Sequence, residues 1–394
     1  MRRLLFALAA LAGVFAAGCF TVQRSAPKPG ITHVGPKPAV VPGHLVGNVL
    51  VVEDKWDKYG PYHFIVDTGS SVTLVSPELA KRYGGTESPP PDEPLVRVRS
   101  SEGGYASLNP VTLSKFQLGS ARFEFVPALV YDCSDLSAQF GVRIDGILGF
   151  PLFRKTVLTL DYPNTRIVIR DKIPEDGIAG ETILFTNANK IPLIPIRLGD
   201  RQLAALIDSG SASALDLNPA GLSPSYLYGP VEGPTVSTLA GDRPSRVCRL
   251  SGVVRIGAFD VPEPIAQMTD ELSSLGGAIL SHFTITFDQE HNEAFFFQND
   301  AADTLRVPPL KGTGLSFRKT PAYWKVVGVM PGSPAAAAGV HQGDLVSRIN
   351  GEPAGNFDPA RYDLLVTTAQ SVSYTFIEGT RDRTLSIGVA SLVP

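Results

Sequence analysis

The sequence predicts a mainly β chain: two related β lobes form one bilobal unit, followed by a smaller β domain with short helices. Three observations carry this. Residues 44 to 298 consist of short Val, Ile, Leu and Phe runs broken by Gly, Pro, Asp and Asn, the pattern of strands and hairpins. The chain holds 38 Gly and 33 Pro, which favours many turns over long helices. A pair of segments also recurs in the same order, once in each half.

At 394 residues, with 43% hydrophobic and 19% charged residues, the chain can bury two or three domain cores. A formal charge of −3 gives no pull toward nucleic acid. Arg2 and Arg3 precede the apolar run from Leu4 to Ala17, too short to span a bilayer comfortably, so residues 1–18 read as a signal peptide. Ala16-Ala17-Gly18-Cys19 resembles the bacterial lipoprotein cleavage motif, with Ala16 where leucine is usual. The resemblance implies a lipidated Cys19 and an exported chain anchored to the cell envelope. Cleavage removes two arginines and no acid, taking the charge from −3 to −5. Residues 19–43 are dotted with proline and lack apolar periodicity, which predicts a semi-extended tether. Cys133 and Cys248 fall in different halves, and their spacing does not decide between one disulfide and two free thiols.

Within lobe one, residues 44–175, Ser76 to Tyr83 is the best helix candidate, with Ser76 as N-cap and Pro77 in the first position. "YHFIVDTGSSVTLV" ends an apolar strand on Asp67, then turns small and polar. By itself this is a strand-to-turn junction. It returns in lobe two, residues 176–298, as "LAALIDSGSASALDL" around Asp208. "DGILGFPLFRKTVLTLDYPNTRIVI" is likewise echoed by "GGAILSHFTITFDQEHNEAFF". Two aspartates at equivalent points of related lobes can meet across a pseudo-twofold axis. Like charges about 3 Å apart do not both ionise cheaply, so the pair shares one proton. The ionised member is then a general base toward water, and the protonated one polarises a carbonyl. Such chemistry needs no metal, cofactor or covalent intermediate. Gly69 and Gly210 allow close backbone approach. Thr68 and Ser209 offer hydroxyls across the lobe interface, and Ser70 and Ser211 are placed to donate to their own aspartates. Those donors favour ionised carboxylates and so an acidic optimum.

On these residues, 44 to 298 resembles the aspartic proteases of the pepsin/retropepsin clan in a compact two-lobe form. The resemblance implies that Asp67 and Asp208 are catalytic, with Ile147-Leu148-Gly149 and Ile279-Leu280-Ser281 packed behind them. Ser281 departs from the clan's glycine. It also implies a substrate-covering hairpin flap, which "RVRSSEGGYASL" fits with Gly103 and Gly104 at its tip and Tyr105 beside it. "VSTLAGDRPSRV" holds the equivalent place in lobe two. After a linker, 299–311, residues 312–392 resemble a bacterial-type PDZ domain through "GSPAAAAGVHQGD" and Ile349-Asn350-Gly351. That resemblance implies that Gly314-Leu315-Ser316-Phe317 receives a polypeptide's C-terminal carboxylate while the adjacent strand edge takes the peptide. Ser316 replaces the usual second glycine. Trp324 reads as packing, and Ala335 to Ala338 as a short helix. His282 and His291 have no acids at ligand spacing and read as surface residues, not metal ligands. The expected function is an exported, lipid-anchored aspartic endopeptidase acting on polypeptides. The rival is a degenerate scaffold of the same fold that only binds peptides.

Overall fold

A computed structural model describes residues 30–85, 95–99, 105–188, 190–238, 241–298, 300, 304–320 and 322–394. Three large sheets account for the predicted β character: one of thirteen strands, one of nine and one of six. The thirteen-stranded sheet runs through lobe one and continues into a ladder shared by both lobes. In that ladder strand Val157–Asp161 pairs antiparallel with Phe283–Asp288, and Thr159 stands opposite Thr286. The two threonine hydroxyls meet at 2.9 Å, 127 residues apart. Each is the other's repeat mate, so the pseudo-twofold axis passes between them.

That spacing corrects the second repeat. Aligning Ile147-Leu148-Gly149 with Ile279-Leu280-Ser281 is five residues out of step with the 127-residue spacing. Ile279 and Leu280 belong to the short helix Gly277–Leu280, and Ser281 is its C-cap. The similar letters belong to different structures, because the lobe-two segment tightens into a helical turn where Gly146–Gly149 is a strand.

The tether ends earlier than its prolines suggest. Ile31–His33 pairs with Ala121–Glu124, and Ala39–Val46 joins the large sheet. Ala39 and Val41 are buried while Val40 is exposed, an alternation too short to register beside the prolines. Pro42 is tolerated where the strand passes from one partner to the next: residues 39–42 pair with Arg166–Ile169 and residues 43–46 with Val49–Val52. The predicted helix is present over Pro77–Tyr83, with the Ser76 hydroxyl accepting from the Leu79 N–H.

One apolar core runs continuously through both lobes. The C-terminal domain has its own core around Trp324, Tyr374 and Phe376. Trp324 is fully buried and Pro334–Ala337 is helical, both as expected. The C-terminal domain touches both lobes. Thr235 of the lobe-two hairpin donates its N–H to Ser316 at 2.9 Å, and Arg318 pairs with Asp242 at 2.8 Å. On the lobe-one side a methyl at Gly141 would come within 2.5 Å of Pro359.

Candidate active site

Two strands deliver the aspartates. Tyr62–Asp67 is buried through Phe64, Ile65 and Val66, and a turn follows at once, with the Ser70 N–H on the Asp67 carbonyl at 3.3 Å. Arg201–Ile207 leads into Asp208 in the same way, with the Ser211 N–H on the Asp208 carbonyl at 3.3 Å. Behind Asp67 runs the parallel strand Gly146–Gly149, and Gly149 stands opposite the aspartate. Behind Asp208 the corresponding strand is Ser274–Leu275, paired with Leu206–Ile207. The next position is Gly276, so lobe two keeps the glycine that the alignment on Ser281 appeared to lose. Both glycines are sterically required: a methyl on Gly149 would strike the Val72 carbonyl, and one on Gly276 the Ser213 carbonyl.

The two turns grip each other. Thr68 N–H donates to Ser209 Oγ at 3.0 Å, and Ser209 N–H donates to Thr68 Oγ1 at 3.1 Å. Each hydroxyl then reaches a carbonyl of the other lobe: Thr68 Oγ1 to Ile207 at 2.5 Å and Ser209 Oγ to Val66 at 2.7 Å. Thr68 is 1% exposed and Ser209 0%, so these buried polar groups satisfy one another across the axis.

The grip forces the carboxyls together. A methyl on Gly69 would sit 2.7 Å from Asp208 Cγ, and one on Gly210 would sit 2.5 Å from Asp67 Cγ. Each aspartate therefore rests on the other lobe's glycine, which no other residue could replace. Burial pushes Asp67 up to about 6, against N–H groups of Gly69 and Ser70 and a hydrogen bond with Asp208. Burial also raises Asp208 well above the ordinary carboxyl value, with the Asp67 charge as the next cause. The pair thus holds a shared proton well above the ordinary carboxyl range.

The serines differ from expectation. Ser70 Oγ donates to the Val72 carbonyl at 2.7 Å, and Ser211 Oγ meets Ser213 Oγ at 2.9 Å. Neither hydroxyl is on its own aspartate: the Val72 carbonyl takes that of Ser70, and that of Ser211 lies in a cluster with Ser213 and Asp216. Both residues act on the carboxyls through their backbone N–H groups. The basis for an acidic optimum is thereby removed.

Beside the dyad the lobes diverge. In lobe one Leu74 stands opposite Ile147 and Leu129 and, with Val72 and Val98, forms an apolar wall. In lobe two Asp216 stands opposite Ser274 and Gln267 in the same two pairings. Counting from the dyad would match Asp216 to Val75; one extra residue in lobe two shifts it onto Leu74. Asp216 Oδ2 accepts from Ser274 at 2.8 Å, Ser213 at 3.0 Å and Ser211 at 3.4 Å. Its sequence signal is an aspartate inside the apolar run "ALDL".

Strands Val96–Arg99 and Tyr105–Leu113 pair antiparallel, with Arg99 opposite Tyr105. Gly103 and Gly104 lie outside the described residues, as does Cys19. Tyr105 is 51% exposed, with the Arg97 guanidinium 3.8 Å from its ring centre. Arg99 reaches across to Glu271 of lobe two at 2.5 Å. The lobe-two counterpart is the hairpin Tyr226–Thr238 with Gly241–Leu250, which bears on the C-terminal domain. In that domain Gly314 takes a left-handed φ of +90°, and a side chain there would strike Ser333. Leu315 and Phe317 turn inward, Phe317 edge-on to Tyr362 at 5.7 Å, while Ser316 faces the lobe-two hairpin. Strand Leu315–Lys319 is the sheet's edge strand. Cys133 and Cys248 are both buried free thiols.

Comparison with known families agrees with this architecture. Residues 52–152 match the aspartyl protease family model, and residues 325–369 match the PDZ domain model. The chain therefore carries an aspartyl-protease-type domain and a C-terminal PDZ domain. Among solved structures it is similar to the crystal structure of the HtrA3 PDZ domain bound to a phage-derived ligand (FGRWV). The identity is 22% over 21% of this chain and 88% of that chain, with a TM-score of 0.19. No curated protein matches the chain.

Proposed function

We propose that the protein is an aspartic endopeptidase whose Asp67/Asp208 dyad hydrolyses peptide bonds. The observation that carries this is the mutual seating of each carboxyl on the other lobe's glycine. In this reading Asp208 carries the shared proton and donates it to the scissile carbonyl. Asp67 takes a proton from water as the water oxygen bonds to the carbonyl carbon. The tetrahedral intermediate then collapses: the Asp67 proton passes to the amine, the C–N bond breaks, and the carbonyl oxygen returns its proton to Asp208. Both products leave with the dyad carrying one proton again.

The PDZ domain binds polypeptide C-termini along Leu315–Lys319 and, through Ser316 and Arg318, sits on the lobe-two hairpin. A bound chain would thus be held beside the cleft. Cys19 would carry a lipid that keeps the enzyme at the cell envelope.

Asp67→Asn and Asp208→Asn test this reading. Each should lower kcat/KM on a peptide substrate by about a thousandfold or more while the circular dichroism spectrum stays native. In the native enzyme kcat/KM should fall as pH drops through about 6, where a second proton loads onto Asp67. Because the folded-state pKa of Asp67 is raised, its contribution to stability is present at low pH and lost as pH rises through about 6. The fall in melting temperature over that range should be smaller in Asp67→Asn. Full activity in either asparagine variant would refute the dyad and leave the peptide-binding scaffold.

A further inference from the structure

Lobe two contains a buried carboxylate that the dyad chemistry does not use. Asp216 is 7% exposed and Ser274 is 4% exposed. Three serine hydroxyls converge on one oxygen of Asp216, at 2.8, 3.0 and 3.4 Å. Two of those serines, 211 and 213, form the turn that follows Asp208, and their hydroxyls also meet each other at 2.9 Å. The Ser213 N–H adds a bond to Ser211 Oγ at 3.2 Å. Ser211 is therefore held at its hydroxyl by this network and at its N–H by Asp208.

Among the described residues lobe one has no such network. Leu74, Ile147 and Leu129 occupy the same register, and the Ser70 hydroxyl bonds only within its own turn, to the Val72 carbonyl and N–H. A buried carboxylate costs several kcal/mol unless it is hydrogen-bonded, so the three serines are what make Asp216 tolerable there. Lobe one bears no such cost.

We propose that Asp216 is a positioning residue: with Ser213 it holds the Ser211 hydroxyl away from Asp208 and so keeps the proton affinity of the dyad high on its lobe-two side. This rests on the dyad reading above. A hydroxyl donating to Asp208 would stabilise its ionised form, and keeping that hydroxyl elsewhere keeps Asp208 protonated. The other titratable groups facing Asp208 are Asp67 across the axis and Tyr162 at the end of the shared ladder, the latter electrostatically coupled to both aspartates. Neither changes when Asp216 is replaced.

The test is the high-pH limb of the kcat/KM profile, where the dyad loses its last proton. Asp216→Leu, which installs the lobe-one residue, should move that limb down by about one pH unit. Asp216→Asn, which keeps an acceptor for the serines, should move it less. Adding Ser211→Ala to Asp216→Leu should recover part of the shift, since the released hydroxyl is then gone. A limb that stays in place in both Asp216 variants, with activity lost only in proportion to melting temperature, would reduce Asp216 to a structural role and overturn the proposal. The same titration can be followed without turnover in the pH dependence of melting, as the difference between each chain and its Asp208→Asn derivative. If the asparagine dyad variants proved active, the enzyme reading would fall while this difference still tested whether Asp216 sets the Asp208 proton affinity.

Discussion

The two lobes place the same aspartate at the same junction yet surround it differently. At the axis they are near mirror images: Thr68 and Ser209 exchange equivalent bonds, and each glycine seats the opposite carboxyl. One layer out, the symmetry ends. Lobe one backs its aspartate with an apolar wall, lobe two with a carboxylate and three hydroxyls. Symmetry is thus kept where the two carboxyls approach each other and abandoned in the walls behind them.

The contrast can be broken most severely from the lobe-one side. Leu74→Asp would put a carboxylate where Asp216 stands in lobe two, but among Val72, Ile147, Leu129 and Val98. With no serines to receive it, this should cost about 4 kcal/mol or more, against at most a third of that for Leu74→Met, as chemical denaturation would show. Equal costs would mean that the wall is not the apolar surface described. The axis should respond symmetrically. Thr68→Ala and Ser209→Ala each leave a buried N–H and carbonyl of the other lobe unsatisfied, and each should cost about 1–3 kcal/mol. A difference much above 1 kcal/mol between them would show that the grip, too, is lopsided. The smallest effect on the chemistry should come from the PDZ side. Removing residues 310–394 should change turnover of a short peptide about twofold or less, because the dyad and both backing strands lie in the lobes. Its effect on polypeptides with a free C-terminus should be much larger. Equal loss on both substrates would mean that the domain supports the lobe-two hairpin instead of choosing substrate.

Much of this was legible because β lobes and aspartate turns have local signatures. The strand ending on Asp67, its echo at Asp208, the Ser76 cap and the Gly-Ser-Pro-Ala segment depend on neighbours in the chain. What the sequence concealed depends on register. Lobe two's backing strand begins at Ser274 and its glycine is Gly276; the more similar letters at Ile279-Leu280-Ser281 belong to a helix. One inserted residue brought Asp216 onto the register of Leu74, and counting from the dyad misses it. The repeated turn places Ser70 and Ser211 to donate to their own aspartates, whereas the folded turn engages each hydroxyl elsewhere.

The sequence by itself determined that there are two β lobes, that each carries an Asp-Thr/Ser-Gly turn, and that a PDZ-type segment follows. Apolar alternation and turn residues act over a few positions, and a repeated pattern of them is enough to declare related lobes. Only the tertiary structure decided that Asp67 and Asp208 come together, that the C-terminal domain bears on the lobe-two hairpin, and that the two walls differ. Those are contacts between residues more than a hundred positions apart, or shifts of one position in a ladder. Sheet register, not residue type, sets which side chains face each other there.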